Sequence, residues 1–163
     1  MLKQISTLDG YEIAIASPGA FTGGSGERGD KDSAAATTTL FLVNGDVLVR
    51  ILGVSTVTPI GTNGTLEVGV AGNTAKLIAL TTATLMIAGD IWSDASPTVG
   101  VDTLASVLGP YLIVNGSDII ETVKTTDLTA GNIYYVCMWR PVSPNSNVIG
   151  LPITEGADIR YDS

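Results

Sequence analysis

The chain has 163 residues, which favours a single domain. Its formal net charge is −8, and its eight basic residues are scattered. A nucleic-acid or anionic-membrane partner is therefore not expected, because binding phosphates needs clustered Lys or Arg. The sequence contains no histidine, which excludes every catalytic or metal site that depends on that side chain.

Charged residues make up only 15% of the chain, against roughly 25% in ordinary soluble domains, while 45% are hydrophobic. This composition is typical either of a membrane protein or of a subunit that buries part of its surface against partners. The longest apolar stretches, such as residues 133–139, fall far short of the roughly 18 residues that span a bilayer. The first 20 residues also lack the features of a secretory signal. We therefore favour a subunit that buries part of its surface against partners over a membrane protein.

The N-terminal part of the chain predicts an arm followed by a joint. Residues 11–16 alternate in a strand-like way, which predicts a short extended piece. Residues 17–36 are rich in glycine and show no apolar period, which is typical of a flexible linker outside any core. We therefore assign residues 1–36 to an N-terminal arm and glycine-rich joint.

The body, residues 37–141, shows short β-branched runs divided by turn signals. Asn-Gly pairs at Asn44 and Asn115 predict hairpins, because both residue types tolerate positive φ. Residues 102–108 alone show helical spacing. The predicted strands cover residues 37–43, 47–54, 55–60, 65–70, 76–80, 84–88, 91–92, 111–114, 118–124 and 132–140. This pattern predicts an all-β protein, an antiparallel two-sheet sandwich closed as a jelly roll. Residues 142–163 then form an extended C-terminal arm with an acidic end.

The last body strand, Asn132–Arg140, is apolar on both faces. Alternation sends Tyr135, Cys137 and Trp139 to one side and the intervening residues to the other. Such a strand fits a central position, with one face in the core and the other covered by an arm or a neighbouring subunit. Cys137, the single cysteine, is interpreted as a buried structural thiol, since no nearby histidine or lysine would lower its pKa.

Paired carboxylates are the first candidate for catalysis. Asp90 and Asp94 bracket Trp92, and two acids beside an aromatic platform would suit a glycosidase. Aspartate beside glycine or in a loop is also ordinary turn chemistry, which is the favoured interpretation. No catalytic residue is assigned, and the chain is not expected to be an enzyme.

A second candidate is a calcium site at Asp30 and Asp32, after Glu27, since hard cations take several carboxylate oxygens from one loop. The full calcium-loop pattern is missing, so a solvated charge run is favoured and no metal or cofactor is assigned. Arg28-Gly29-Asp30 matches the tripeptide that integrins bind and is interpreted as linker.

Three segments taken in chain order, residues 37–50, 64–74 and 130–141, resemble small virion proteins of tailed bacteriophages. The resemblance covers residues 28–145 and is to capsid decoration, or cement, proteins with a jelly-roll body. It implies a homo-oligomer, a trimer or a dimer with the trimer favoured, made in the host cytoplasm and seated on the outer face of the capsid. There it would stabilise the shell by bridging major capsid subunits.

The residue-level observations are compatible with this role. A protein on the outer surface of a capsid need not neutralise the charge of DNA, so a negative net charge is compatible with this role. Two alternatives remain open: a glycan- or receptor-binding module of a head or tail fibre, with the tryptophans and tyrosines as sugar platforms, and a tail or head-completion component. The candidate partner contacts are Tyr11, Phe21, Trp92, Trp139 and Tyr161.

Overall fold

A computed structural model describes residues 7–8, 10–99, 111–113 and 116–152. The described chain is built almost wholly from strands, with two short 3-10 helices at Ala34–Ala36 and Ala83–Leu85. The strands are β1 (Thr7–Leu8), β2 (Tyr11–Ala16), β3 (Thr37–Asn44), β4 (Val47–Ile60), β5 (Thr65–Val70), β6 (Asn73–Thr82), β7 (Asp90–Trp92), β8 (Thr98–Val99), β9 (Tyr111–Ile113), β10 (Ile119–Lys124), β11 (Ala130–Pro141) and β12 (Asn147–Gly150).

These strands form two antiparallel sheets, which confirms the predicted sandwich. The first sheet has the order β1-β2-β11-β4-β7-β8, with β9 also paired to β4. The second sheet has the order β12-β3-β10-β5-β6. Of these, β2-β11-β4-β7 and β3-β10-β5-β6 form the two layers. Every connection along these eight strands crosses from one sheet to the other except that between β5 and β6, in the manner of a jelly roll.

The core lies between the sheets and follows from strand alternation. On β11, Ile133, Tyr135, Cys137 and Trp139 all join the buried cluster, as predicted for one face of this strand. The register of β3 on β10 shifts at one position, where the structure has a bulge or irregularity. Leu40 and Phe41, although adjacent in sequence, are therefore both buried.

The predicted flexible joint is wrong. β2 pairs with β11, and the segment that follows it is bound to the body by backbone hydrogen bonds, including Phe21 N to the Gly131 carbonyl and Leu128 N to the Gly29 carbonyl, both at 2.9 Å. Phe21 is 1% exposed. Gly29 has a φ of +108°, and a Cβ there would overlap the carbonyl oxygen of Leu128. Glycine serves here for close approach of two backbones and not for flexibility.

The hairpins predicted at the Asn-Gly pairs of Asn44 and Asn115 are wrong. β3 and β4 lie in different sheets, as do β9 and β10, so each connection crosses between the sheets and does not join two paired strands.

Three further predictions need correction. Residues 47–54 and 55–60 form one strand, β4, which pairs with β11 from Val47 to Ile60. Residues 84–88 do not form a strand. Met86 instead enters the core, and the chain passes through a 3-10 helix and a turn. Residues 147–150, predicted as arm, form β12 and pair with β3. The predicted helix at 102–108 lies outside the described residues.

Within the described residues, no helix has the length and apolarity needed to cross a membrane.

Candidate interaction surface

The aspartates that flank Trp92 act as turn residues. The buried carboxylate of Asp90 accepts a hydrogen bond from Ile87 N at 3.1 Å, and the carboxylate of Asp94 accepts one from Ser96 N at 2.6 Å. Trp92 lies wholly in the core, where its Nε1 donates to Thr81 Oγ1 at 2.8 Å. The turn interpretation is confirmed for both acids, and the indole offers no face to a sugar.

Three carboxylates, those of Asp30, Asp32 and Asp127, have oxygens within 4.8 Å of one another. They are the described groups that could hold a cation. Asp30 is buried and accepts from Gly26 N at 2.8 Å and from Asp32 N at 2.9 Å, and these two backbone donors lower its pKa. Asp127 accepts from Lys31 N at 3.0 Å. Asp127 thus fastens the residue 26–33 loop to the body. Of the charged residues predicted to be a solvated run, Asp30 is buried and Asp32 is exposed, so that prediction is wrong for Asp30.

A buried ionic network holds the N-terminal segment inside the sandwich. Arg28 donates to both carboxylate oxygens of Glu121, with Nε to Oε1 at 2.9 Å and Nη2 to Oε2 at 2.6 Å. Its guanidinium also donates to the Gly19 carbonyl and lies 3.9 Å above the ring centre of Phe21. The Tyr135 hydroxyl donates to Glu121 as well. Arg28 therefore anchors the segment in the core, and the integrin-type tripeptide is not displayed.

The environment of this network shifts two pKa values. Burial disfavours charged Arg28, but the carboxylate of Glu121 outweighs it, so that the pKa of Arg28 is raised. Burial, together with the negative charge of Glu121, raises the pKa of Tyr135. Burial also raises the pKa of Cys137, which agrees with its predicted role as a structural thiol.

The predicted partner contacts are wrong for Phe21, Trp92 and Trp139. All three are buried in the core of the chain, which leaves no side-chain surface for a partner or for a sugar. Tyr11 is half-buried and stacks beside two cations, with ring-centre distances of 5.5 Å to Arg50 and 4.6 Å to Arg140. Tyr161 lies outside the described residues.

Four exposed apolar side chains lie on two neighbouring segments, the end of β4 and residues 83–89, and we call them the end patch: Val57, Ile60, Leu85 and Ile87. Each is more than half exposed. Two hydrogen bonds hold the residue 83–89 segment beside β4, from Ser55 Oγ to the Met86 carbonyl at 3.1 Å and from Gly89 N to the Ser55 carbonyl at 2.8 Å. Leu85 and Ile87 are large apolar residues that the sequence shows, but the prediction of a strand over residues 84–88 gave no reason to expect their exposure.

Beside the end patch lies an open depression with a volume of about 620 Å³. Its walls combine hydroxyl groups with backbone and one carboxylate, and the lining residues are Thr58, Pro59, Ile60, Gly61, Thr62, Thr84, Thr126, Asp127 and Thr129. Thr129 N donates to the Ile60 carbonyl at 2.8 Å, which ties the two sides together. Apolar side chains next to polar groups resemble the centre and rim of a protein interface.

The outer face of the first sheet is a second apolar surface. Because Tyr135, Cys137 and Trp139 point inward, the alternate residues of β11 point outward, together with their cross-strand partners. The apolar members are Ile13, Ile15, Leu48, Leu52, Val54, Ile91, Leu112, Tyr134, Val136 and Met138. The structure thus confirms that β11 is a central strand with apolar side chains on both faces.

No protein-family model matches this sequence, and no curated protein matches it either. Among solved structures, the chain is similar to one described as the capsid asymmetric unit of cyanophage Pam1, with 19% sequence identity and a TM-score of 0.36. The alignment covers 85% of this chain and 91% of that one.

Proposed function

We propose that this protein is a non-enzymatic structural component of a bacteriophage virion, which binds the outer surface of the capsid and stabilises the shell by bridging major capsid subunits. The end patch is the observation that carries this proposal. Large exposed apolar side chains on neighbouring segments of a surface are typical of a protein-protein contact. Their position beside hydroxyl groups and one carboxylate favours a protein surface over a phosphate-rich partner.

The strength expected of one such contact is modest. Burying an exposed leucine or isoleucine contributes about 1.5–3 kcal/mol before the costs of association are subtracted. A repetitive shell offers many equivalent sites, however, and a subunit that touches two of them gains avidity without new contacts. A small patch on each copy therefore suffices for a protein that braces a lattice.

The proposal includes self-association, with a trimer favoured over a dimer. This follows the sequence resemblance and the low charged fraction of 15%, since a subunit with little polar surface is stabilised by contacts with its copies. The native mass at micromolar concentration tests this part separately from capsid binding.

Binding to capsids that lack the protein tests the main proposal. We expect the wild type to co-sediment with such capsids and to raise the temperature at which they break. The variant L85S/I87S should bind more weakly by at least about tenfold, because it loses two apolar contacts. Val142 is the matched control: it is equally exposed but lies at the other end of β4, where its N–H donates to the Asp46 carbonyl at 2.8 Å. V142S should bind as the wild type does.

Wild-type protein that fails to bind any capsid of its own phage would refute the proposal. Equal weakening by L85S/I87S and V142S would remove the end patch as the contact surface.

A further inference from the structure

The outer face of the first sheet is of a size that suits an extended segment. Four neighbouring strands at roughly 4.8 Å give a width of about 19 Å, and seven residues of β11 give a length of about 24 Å, so the footprint is about 450 Å². A stable interface between two proteins takes about 800 Å² from each partner. The face is therefore too small to hold two copies together by itself, but it is wide enough for one extended peptide.

The charged residues on this face are basic and therefore favour the binding of an acidic segment. Among the described strand residues that share the face, Arg50 and Arg140 are the only charged ones, on a chain whose net charge is −8. The Nε atom of Arg50 is buried and has no hydrogen-bond acceptor among the described residues. A buried donor without an acceptor costs free energy, so a carboxylate at this position would be stabilising.

Apolar side chains remain exposed at both rims of the face. Ile15 on β2 is 59% exposed and Leu112 on β9 is 45% exposed, whereas Leu52 and Met138 in the middle are buried. An occupant that runs from the β2 rim to the β9 rim would cover both exposed positions. Its apolar groups must therefore be spread along its length.

The chain itself brings such a segment to the β2 rim. The Leu151 carbonyl accepts a hydrogen bond from Ser17 N at 2.9 Å, directly after β2, and Gly150 packs against the carbonyl of Ile15. Residues 153–163 follow at once. They carry three carboxylates and three large apolar side chains, Ile153, Glu155, Asp158, Ile159, Tyr161 and Asp162, with one arginine. Eleven extended residues reach about 36 Å, more than the width of the face.

We propose that residues 153–163 dock across the outer face of the first sheet of their own chain, with a carboxylate of the segment accepting from Arg50 and its apolar side chains covering the rims. Tethering favours the segment of the same chain, because a short linker gives it a millimolar effective concentration. The inference concerns the free protein and goes beyond the virion role.

Disulfide trapping tests the proposal on the full-length chain. Ser163→Cys is combined either with Leu112→Cys, at the far rim of the face, or with Leu42→Cys, a control on the second sheet of similar exposure. Leu42 lies two residues from Leu40, whose carbonyl accepts from Leu151 N at 2.9 Å, so it is close to the start of the segment. A freely moving segment would reach position 42 at least as readily as position 112. Native Cys137 is buried and stays unreactive.

We expect the intramolecular disulfide between positions 163 and 112 to form about tenfold faster than that between positions 163 and 42. Arg50→Gln and added salt should each slow the first reaction and leave the second unchanged, because the ionic contact is lost or screened. Equal rates for the two pairs would overturn the proposal. Disulfide-linked dimers would assign the face to the segment of another copy and overturn docking within one chain. No capsid is present, so the result is independent of capsid binding.

Discussion

The residue 17–36 segment and the end patch make an instructive contrast. The first is rich in glycine and charge, yet it is fixed in the sandwich by a buried ion pair and by backbone contacts. The second contains large apolar residues in a run that predicts a strand, yet these side chains are exposed. Composition therefore misassigns both regions, because burial depends on which groups the rest of the fold brings opposite them.

The largest expected effect is on the buried Arg28–Glu121 ion pair, which holds the residue 17–36 segment in the sandwich. Arg28→Met should lower the free energy of unfolding by about 3–5 kcal/mol, because Glu121, with 0% exposure, would stay buried without its cation. Urea denaturation measures this. The double variant R28M/E121L should recover much of the loss, since no charge is left unpaired.

Lys31→Met is the control, because the Lys31–Asp32 ion pair lies in the same segment but is solvent-exposed. A similar loss in both variants would show that the segment is held by its charge in general and not by the buried pair.

The second largest loss of stability is expected for Gly29→Ala, in the same residue 17–36 segment. The φ of +108° and the overlap of the new Cβ with the Leu128 carbonyl should cost about 1–3 kcal/mol, in the same denaturation experiment. Gly72→Ala, also at positive φ but with open space around its Cβ position, should cost less. Equal costs would mean that backbone conformation, and not close approach, explains the glycine at position 29.

Acid sensitivity should follow from Asp30. Its pKa is lowered mainly by the N–H of Gly26, so the carboxylate stabilises the fold above its unfolded pKa of about 3.9. This contribution is lost as the pH falls below that value towards the folded pKa. Unfolding measured between pH 7 and pH 2 should therefore show a steeper acid loss for the wild type than for Asp30→Asn. Parallel curves would contradict the assigned role.

The smallest effect on stability is expected at the end patch. L85S/I87S removes apolar surface that is already in water, so its free energy of unfolding should lie within about 0.5 kcal/mol of the wild type. Circular-dichroism melting measures this. A clear loss would show that the patch is part of the fold, and the contrast with residues 17–36 would then disappear.

Much of the fold was predictable from local sequence signals. Turn residues such as Asn44-Gly45 mark where strands end, although β3 and β4 on either side of this pair lie in different sheets and form no hairpin. The alternation of β11 identifies both a core face and an outer apolar face. Each of these signals depends on only a few neighbouring residues, so each can be recognised in the sequence. Together they predicted the jelly-roll sandwich. The burial of Cys137 follows from the same alternation.

The sequence by itself determined most of the strands, the acidic balance and the lack of histidine chemistry. The tertiary structure alone decided which candidate residues are available to partners. Arg28 and Glu121 are 93 positions apart, and no local pattern indicates that they pair. Likewise Trp92 and Leu85 are both apolar, but only the packing of the sheets buries the first and leaves the second in water. Long-range contacts fix burial, and burial determines which side chains can bind another molecule.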